Sequence, residues 1–311
     1  MTLTQLEYIV ALDSHRHFVQ ASEKCFVTQP TLSMQIQKLE EELGIKIFDR
    51  TKQPVIPTEI GTSLIAQARI ILREAKMIQQ IINDQKDTMT GELRIGIIPT
   101  LAPYLLPSLF KQMREKYPQL NLIIKETITE EVVHELKNNR LDCGLVVTPL
   151  KDSSIKEDIL FYEELFVYVS KKNSLYDKKY VLASDIDPEQ LWLLEEGHCF
   201  RSQILNLCEL RKSSEFNFKY ETGNIETLKR MVDKSDGLTI LPELAVMEFT
   251  KPQLRFVKRL KEPSPAREVS LVTHRDHIKT KLIKTLKEEI LNIVPKQMQK
   301  LHSKKVVEIT Y

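Results

Sequence analysis

Thr28-Gln29-Pro30-Thr31-Leu32-Ser33-Met34-Gln35-Ile36-Gln37-Lys38-Leu39-Glu40-Glu41-Glu42-Leu43-Gly44 contains both ends of a helix and one buried side. Thr28 can cap the free amides of a first turn, and Pro30 fits that turn because its missing N–H is not needed there. Leu32, Ile36, Leu39 and Leu43 recur at steps of 4, 3 and 4, which makes one apolar stripe, and Gly44 supplies a left-handed stop. The other side carries Thr31, Ser33, Gln35, Gln37 and Lys38. Two shorter helices are expected upstream. Thr4-Gln5-Leu6-Glu7 fits a capping box, with Leu3 and Tyr8 as its hydrophobic staple, so the first helix should open at Gln5. The second runs from Phe18 through Ala21 to Cys25, whose thiol is expected in the core. Residues 45–48 read as a strand, and Arg50-Thr51-Lys52 as an exposed basic turn. This is a winged helix-turn-helix. Its third helix can enter a major groove, with short polar side chains on base edges and backbone amides on phosphates. On spacing alone, a helical protein-binding domain remains open.

The chain has 311 residues, enough for two domains, and 42% hydrophobic with 28% charged residues excludes a disordered or low-complexity class. Apolar runs such as 95–98 and 165–169 fall well short of the ~18 residues a membrane span needs. No basic segment precedes an apolar run at the N-terminus, so the expected location is the cytoplasm. There, the default state of the four cysteines is a reduced thiol. The net charge of +2 is unevenly spread. Residues 1–60 hold 6 Lys and Arg against 8 Asp and Glu, which is no simple basic footprint, whereas residues 279–305 hold 8 Lys against 2 Glu. That basic end reads as a solvated terminal helix or a contact surface.

From Thr58 onward, Leu64, Ala68, Ile71, Ala75, Ile78 and Ile82 form a heptad seam, which pairs two copies of the helix or packs on its own domain. Between Thr58 and Met89 the helix would span about 45 Å. After Gly91, segments 93–98, 106–117, 120–126, 130–138 and 143–148 alternate strand and helix, which predicts βαβ units and a parallel sheet. A second series, 165–170, 191–194, 216–220, 228–232 and 238–241, predicts a second lobe. Segments 269–273 and 278–293 predict a return to the first lobe. Thr100 and Thr129 follow the first two strands, where such folds hold small polar guests, although both also suit ordinary turns.

The segment Glu195-Glu196-Gly197-His198-Cys199-Phe200-Arg201, ending at Cys208, has the composition of a reactive thiol site. A helix N-terminus, a histidine and an arginine would each lower the pKa of Cys199. Peroxide converts a thiolate to a sulfenic acid, which condenses with a second thiol, and Cys208 is the candidate. If 199–208 were one helix, its ends would lie ~13 Å apart, against the ~7 Å a disulfide tolerates. Bridging would therefore require unwinding. Two core cysteines without chemistry is the competing reading.

Ala21-Ser22, the run from Thr28 to Ser33, Gln35-Ile36, Leu39-Glu40, Leu43-Gly44 and Phe48-x-Arg50 resemble the LysR-type transcriptional regulators. Val19 and Gln20 depart from the pattern, lying where relatives often carry a basic residue. The resemblance implies a DNA-binding dimer that reads promoter DNA through Thr28, Gln29, Pro30, Thr31, Ser33, Gln35, Lys38, Arg50 and Lys52. Gly197-His198-Cys199-x-Arg201 with Cys208, Ile98-Pro99-Thr100 and Pro103-Tyr104-Leu105-Leu106-Pro107 resemble the peroxide-sensing branch of that family. By that likeness Cys199 is the peroxidatic thiol and Cys208 the resolving one. Thr100, Thr129, His198 and Arg201 line the peroxide pocket, and Arg267 steadies the thiolate. The likeness further implies a dimer of dimers, contact with RNA polymerase, resetting by a cellular dithiol, and no cofactor or metal. Cys143 reads as structural.

The expected architecture is an α/β chain with an all-α winged helix-turn-helix at 1–58, a linker helix at 59–90 and a two-lobed, periplasmic-binding-protein-like regulatory domain at 91–311. Lobe I takes 91–162 and 268–311, and lobe II takes 163–267. A non-enzymatic regulator is expected. The alternatives are a LysR-type regulator answering to a metabolite, a thiol peroxidase and a solute-binding protein.

Overall fold

The computed structural model describes residues 1–84, 89–195, 199–208, 224–277, 279–301 and 304–309, and the chain divides into two compact units, 1–87 and 88–311. In the first unit, α1 (Leu3–His15) opens two residues earlier than expected. Thr2 is its cap, in a reciprocal box with Gln5, and Leu3 is exposed, so the staple does not form. The Thr2 box turns Gln5, Leu6 and Tyr8 inward. Next come α2 (Phe18–Lys24) and α3 (Gln29–Leu43), the latter capped by Thr28 and stopped by Gly44 at φ +67°. Leu32, Ile36 and Leu39 are fully buried, but Leu43 is exposed. Glu40 occupies the inward place of that last turn instead.

Glu40 explains the wing. Its Oε1 accepts from Ile47 N at 2.8 Å and Phe48 N at 3.2 Å, while Oε2 meets Arg50 Nη2 at 3.1 Å. With those amides taken, the expected strand at 45–48 does not form. The wing is the short antiparallel pair β1 (Phe48–Asp49) and β2 (Ile56–Pro57). In α4 (Glu59–Asp84), Gly61 packs against the backbone that leads into the wing, since a Cβ there would collide with Ile47 O. Ile65 and Ala68 lie buried in the unit's core, with Leu64 and Ile71 packed against it. The early seam thus covers its own domain, whereas Ile78 is 64% exposed. The side chain of Ile82 lies outside the described residues.

The second unit runs β3 (Gly91–Ile97), α5 (Ala102–Lys116), β4 (Leu120–Glu126), α6 (Thr129–Lys137), β5 (Cys143–Thr148), β6 (Ile155–Val169) and β7 (Tyr180–Val181). It continues through α7 (Cys199–Leu207), α8 (Ile225–Lys234), β8 (Leu238–Pro242), α9 (Glu243–Met247), β9 (Val257–Leu260), β10 (Ser264–His274), α10 (Thr280–Ile293) and β11 (Lys304–Val306). The sheet order is β4-β3-β5-β10-β6-β9-β7, with β8 on β6 and β11 on β10. β3 is parallel to β4 and β5, as the helical crossovers require. The sheet as a whole is mixed rather than parallel, because the returning β10 lies antiparallel to both β5 and β6.

Two apolar cores result. One gathers β3, β5, α5, α6 and α10, and the other gathers the end of β6, β8, α7 and α8. The long strands β6 and β10 join them. Leu191 makes only an isolated bridge to Leu238, so 191–194 is not a strand. Segment 228–232 is helical, within α8, and 216–220 lies outside the described residues. Among the described residues no helix is long and apolar enough to cross a membrane.

Candidate functional site

Four of the sequence-selected residues converge between the two cores. Cys199 is the first residue of α7, is buried, and packs with the first core. Thr129, the first residue of α6, donates its hydroxyl to the Cys199 sulfur at 3.7 Å. Arg267 lies in β10 with no exposed surface, and its guanidinium donates from Nη1 to Thr100 Oγ1 at 2.8 Å and from Nη2 to the Thr100 carbonyl at 3.2 Å. The same group stacks over Phe200, the residue after Cys199, with its central carbon 5.0 Å from the ring centroid.

A cation in so dry a place needs an anion. Glu163 in β6 provides it: Oε2 accepts from Arg267 Nε at 2.7 Å, and Oε1 accepts from Leu244 N at 2.8 Å. Burial pushes the Glu163 carboxyl up, while Arg267 and the Leu244 amide oppose the shift. Sequence reasoning missed Glu163. The one available signal was an acidic pair, Glu163-Glu164, interrupting an apolar strand.

Burial also pushes the Cys199 thiol up. Arg267, the Thr129 hydroxyl and the amides of Phe200 and Cys199 itself act in the opposite direction, but desolvation outweighs them. Burial thus works against the lowered pKa that the sequence suggests, because an enclosed sulfur loses the hydration that favours its charged form. Arg201 Nη1 donates to the Leu194 carbonyl at 2.8 Å, and Arg267 is a cation that acts on the sulfur. His198 lies outside the described residues.

Cys208 sits just past α7, with its amide donating to Ile204 O at 3.0 Å, so the helical bonding continues to it. It packs against the second core, and burial pushes its thiol up to about 12. Both cysteines are free thiols. Cys143 is fully buried in β5, and burial raises its pKa too. The closing stretch of chain ties α7 down: Gln203 Nε2 donates to Val307 O at 3.1 Å and Asn206 Nδ2 to Glu308 O at 3.0 Å. Val307 N in turn donates to Ala266 O at 2.8 Å, beside Arg267.

In the first unit, Thr28, Gln29, Pro30, Lys38 and Lys52 are exposed, and Thr31, Ser33 and Gln35 are half-buried. The hydroxyls of Thr28 and Thr31 share a hydrogen bond of 2.8 Å, and Gln35 Oε1 accepts from Gln5 at 3.4 Å. Arg50 is committed to Glu40 and donates to Ser33 Oγ at 3.4 Å. It fixes the wing to α3.

The bacterial regulatory helix-turn-helix model of the lysR family matches residues 3–62, and the LysR substrate binding domain matches residues 86–293. A hydrogen peroxide-inducible genes activator of Haemophilus influenzae is 36% identical over 88% of this chain and 90% of its own length. The DNA-binding transcriptional dual regulator OxyR of Escherichia coli is 36% identical over 88% of this chain and 89% of its own. A full-length OxyR variant from Pseudomonas aeruginosa superimposes with a TM-score of 0.80 at 32% identity, covering 94% of this chain and 98% of that one. The reader helix, the mixed two-lobed sheet and these matches over nearly the whole chain agree, and the chain belongs to the LysR family of DNA-binding transcriptional regulators.

Proposed function

We propose that this chain is a hydrogen-peroxide-responsive activator of transcription, switched by reversible oxidation of Cys199 and Cys208. The observation that carries the reading is the placement of the two thiols at opposite ends of α7, against different cores, with Arg267 and Thr129 at the first of them. Peroxide approaches the Cys199 sulfur, where the thiolate attacks one oxygen, breaks the O–O bond and becomes a sulfenic acid, releasing hydroxide. The charge on sulfur before attack faces Arg267 and the first amides of α7, while Thr129 and Thr100 offer hydroxyls to the oxygens. Cys208 then displaces the sulfenic oxygen as water and forms the disulfide.

Nine helical steps keep the sulfurs' backbones ~13 Å apart, and a bridge admits at most ~7 Å between Cα atoms. Closure therefore unwinds α7 and withdraws Cys208 from the second core. The altered segment is the switch element, read by contacts between copies of the chain and from there by the DNA-binding units. The resemblance supplies the wider setting: a dimer of dimers on promoter DNA, contact with RNA polymerase, a cytoplasmic location and a dithiol reductant that reverses the bond.

The test is a footprint of target DNA by reduced and peroxide-treated protein, beside C199S and C208S. The proposal expects a footprint that changes with peroxide in the parent and in neither variant. An unchanged parental footprint removes the redox reading. Footprints that change with a metabolite while both thiols survive stoichiometric peroxide favour a metabolite-responsive regulator. Sustained peroxide turnover with a reductant and no DNA footprint favours a thiol peroxidase.

A further inference from the structure

The DNA-reading unit is poor in available cationic charge. It carries 6 Lys and Arg against 8 Asp and Glu over residues 1–60, and part of the positive charge pairs with carboxylates of the same unit. Arg16 and Arg69 pair with Asp13, and Lys46 and Arg50 pair with Glu40. Phosphate contacts supply the sequence-independent part of DNA affinity, so a reader with few of them must gain more from the bases.

Two large apolar side chains stand exposed on α3 and in the turn before it. Met34 lies two residues from both Leu32 and Ile36, about 200° round α3 from the buried stripe, and is 60% exposed. It shares the outward side with Pro30 and Lys38. Phe26 lies in the turn between α2 and α3, is 95% exposed, and has φ +55°. That left-handed position suits glycine or asparagine, and a bulky aromatic there is strained. Phe26 gains almost no burial in return, so neither packing nor backbone preference accounts for it. Large apolar groups around a reader helix have one apolar feature to meet in the major groove, the thymine 5-methyl group.

We propose that Met34 and Phe26 are specificity-determining residues that read thymine methyl groups in each half-site, complementing the hydrogen-bonding side chains of α3. The inference rests on DNA binding by the family and is independent of the cysteine chemistry.

The test uses the full-length reduced protein. A duplex is first enriched from a random pool, then resynthesised with uracil in place of thymine at single positions, which deletes the methyl group and preserves base pairing. Burying one such carbon is worth about fourfold in affinity, so the parent should lose about that factor at two or more thymines per half-site. M34A and F26N should each erase the loss at a different position, and the double variant should bind thymine and uracil duplexes equally. Both substitutions suit their backbones, so thermal melting of the variants should match or exceed that of the parent. Equal binding of both duplexes by the parent, or discrimination surviving in the double variant, overturns the proposal. Failure to enrich any duplex removes DNA reading itself, and the proposal with it, while leaving peroxide oxidation of the thiols separately measurable.

Discussion

Arg267 and Glu163 are an ion pair with both partners fully enclosed, and their value lies in being intact together. Removing one charge strands the other, which typically costs 3–5 kcal/mol. Glu163→Gln should lower the unfolding free energy of the regulatory unit by about 3 kcal/mol, readable as a lower urea midpoint with an unchanged slope. The Cys199 thiol has its own pH signature. Its pKa is raised by burial, so the reactive thiolate becomes more abundant as pH climbs beyond the ordinary thiol range. The rate of Cys199 oxidation by peroxide should keep rising above pH 8, and stopped-flow measurement on C208S, which isolates the first step, checks it. Arg267→Met removes a charge that opposes the shift, so its profile should move to still higher pH. A plateau below pH 7 in the parent would contradict the burial argument.

At the scale of elements, α7 is restrained by the closing stretch of chain through Gln203 and Asn206. A single hydrogen bond of this kind contributes ~1 kcal/mol net, and unwinding α7 must break it. Asn206→Ala should therefore speed conversion of sulfenic acid to disulfide by up to about fivefold, as followed by loss of free thiol after a peroxide pulse. Much of this element map was legible in sequence. Thr28, Pro30 and Gly44 marked the ends of α3 because caps are local chemistry, and the apolar spacing placed β3 through β5 with their crossover helices. What stayed hidden depended on partners distant in sequence. Glu40 displaces the wing strand by taking two amides seven and eight residues on, and Glu163 completes a site whose cation is more than a hundred residues away. The antiparallel return of β10 follows from the topology of two lobes, which periodicity does not report. Arg267 illustrates the same limit: spacing along the chain points only to Arg201, and Arg267 entered through the resemblance alone, while the fold brings it to the sulfur.

For the whole molecule, the exposed Ile78 of α4 is the place to disturb assembly. Ile78 lies beyond the part of the seam that covers its own domain, so Ile78→Glu should leave each unit folded while weakening association of copies. Sedimentation should show a shift toward monomer, and operator affinity should fall by at least about tenfold as the paired half-sites lose simultaneous engagement. The division of α7 between two cores has a last consequence, for how the signal ends. On the proposed switch, a bridge across so few residues would restrain an unfolded chain less than a long-loop crosslink does, while forming it would dismantle a helix and draw one sulfur away from its packing. A bond formed against such resistance would be more oxidising than a secreted protein's structural crosslink and open to reduction by ordinary cellular thiols. An oxidised state so formed would be spring-loaded toward its own reversal, and once the oxidant is gone the alarm would fall silent without new protein having to be made.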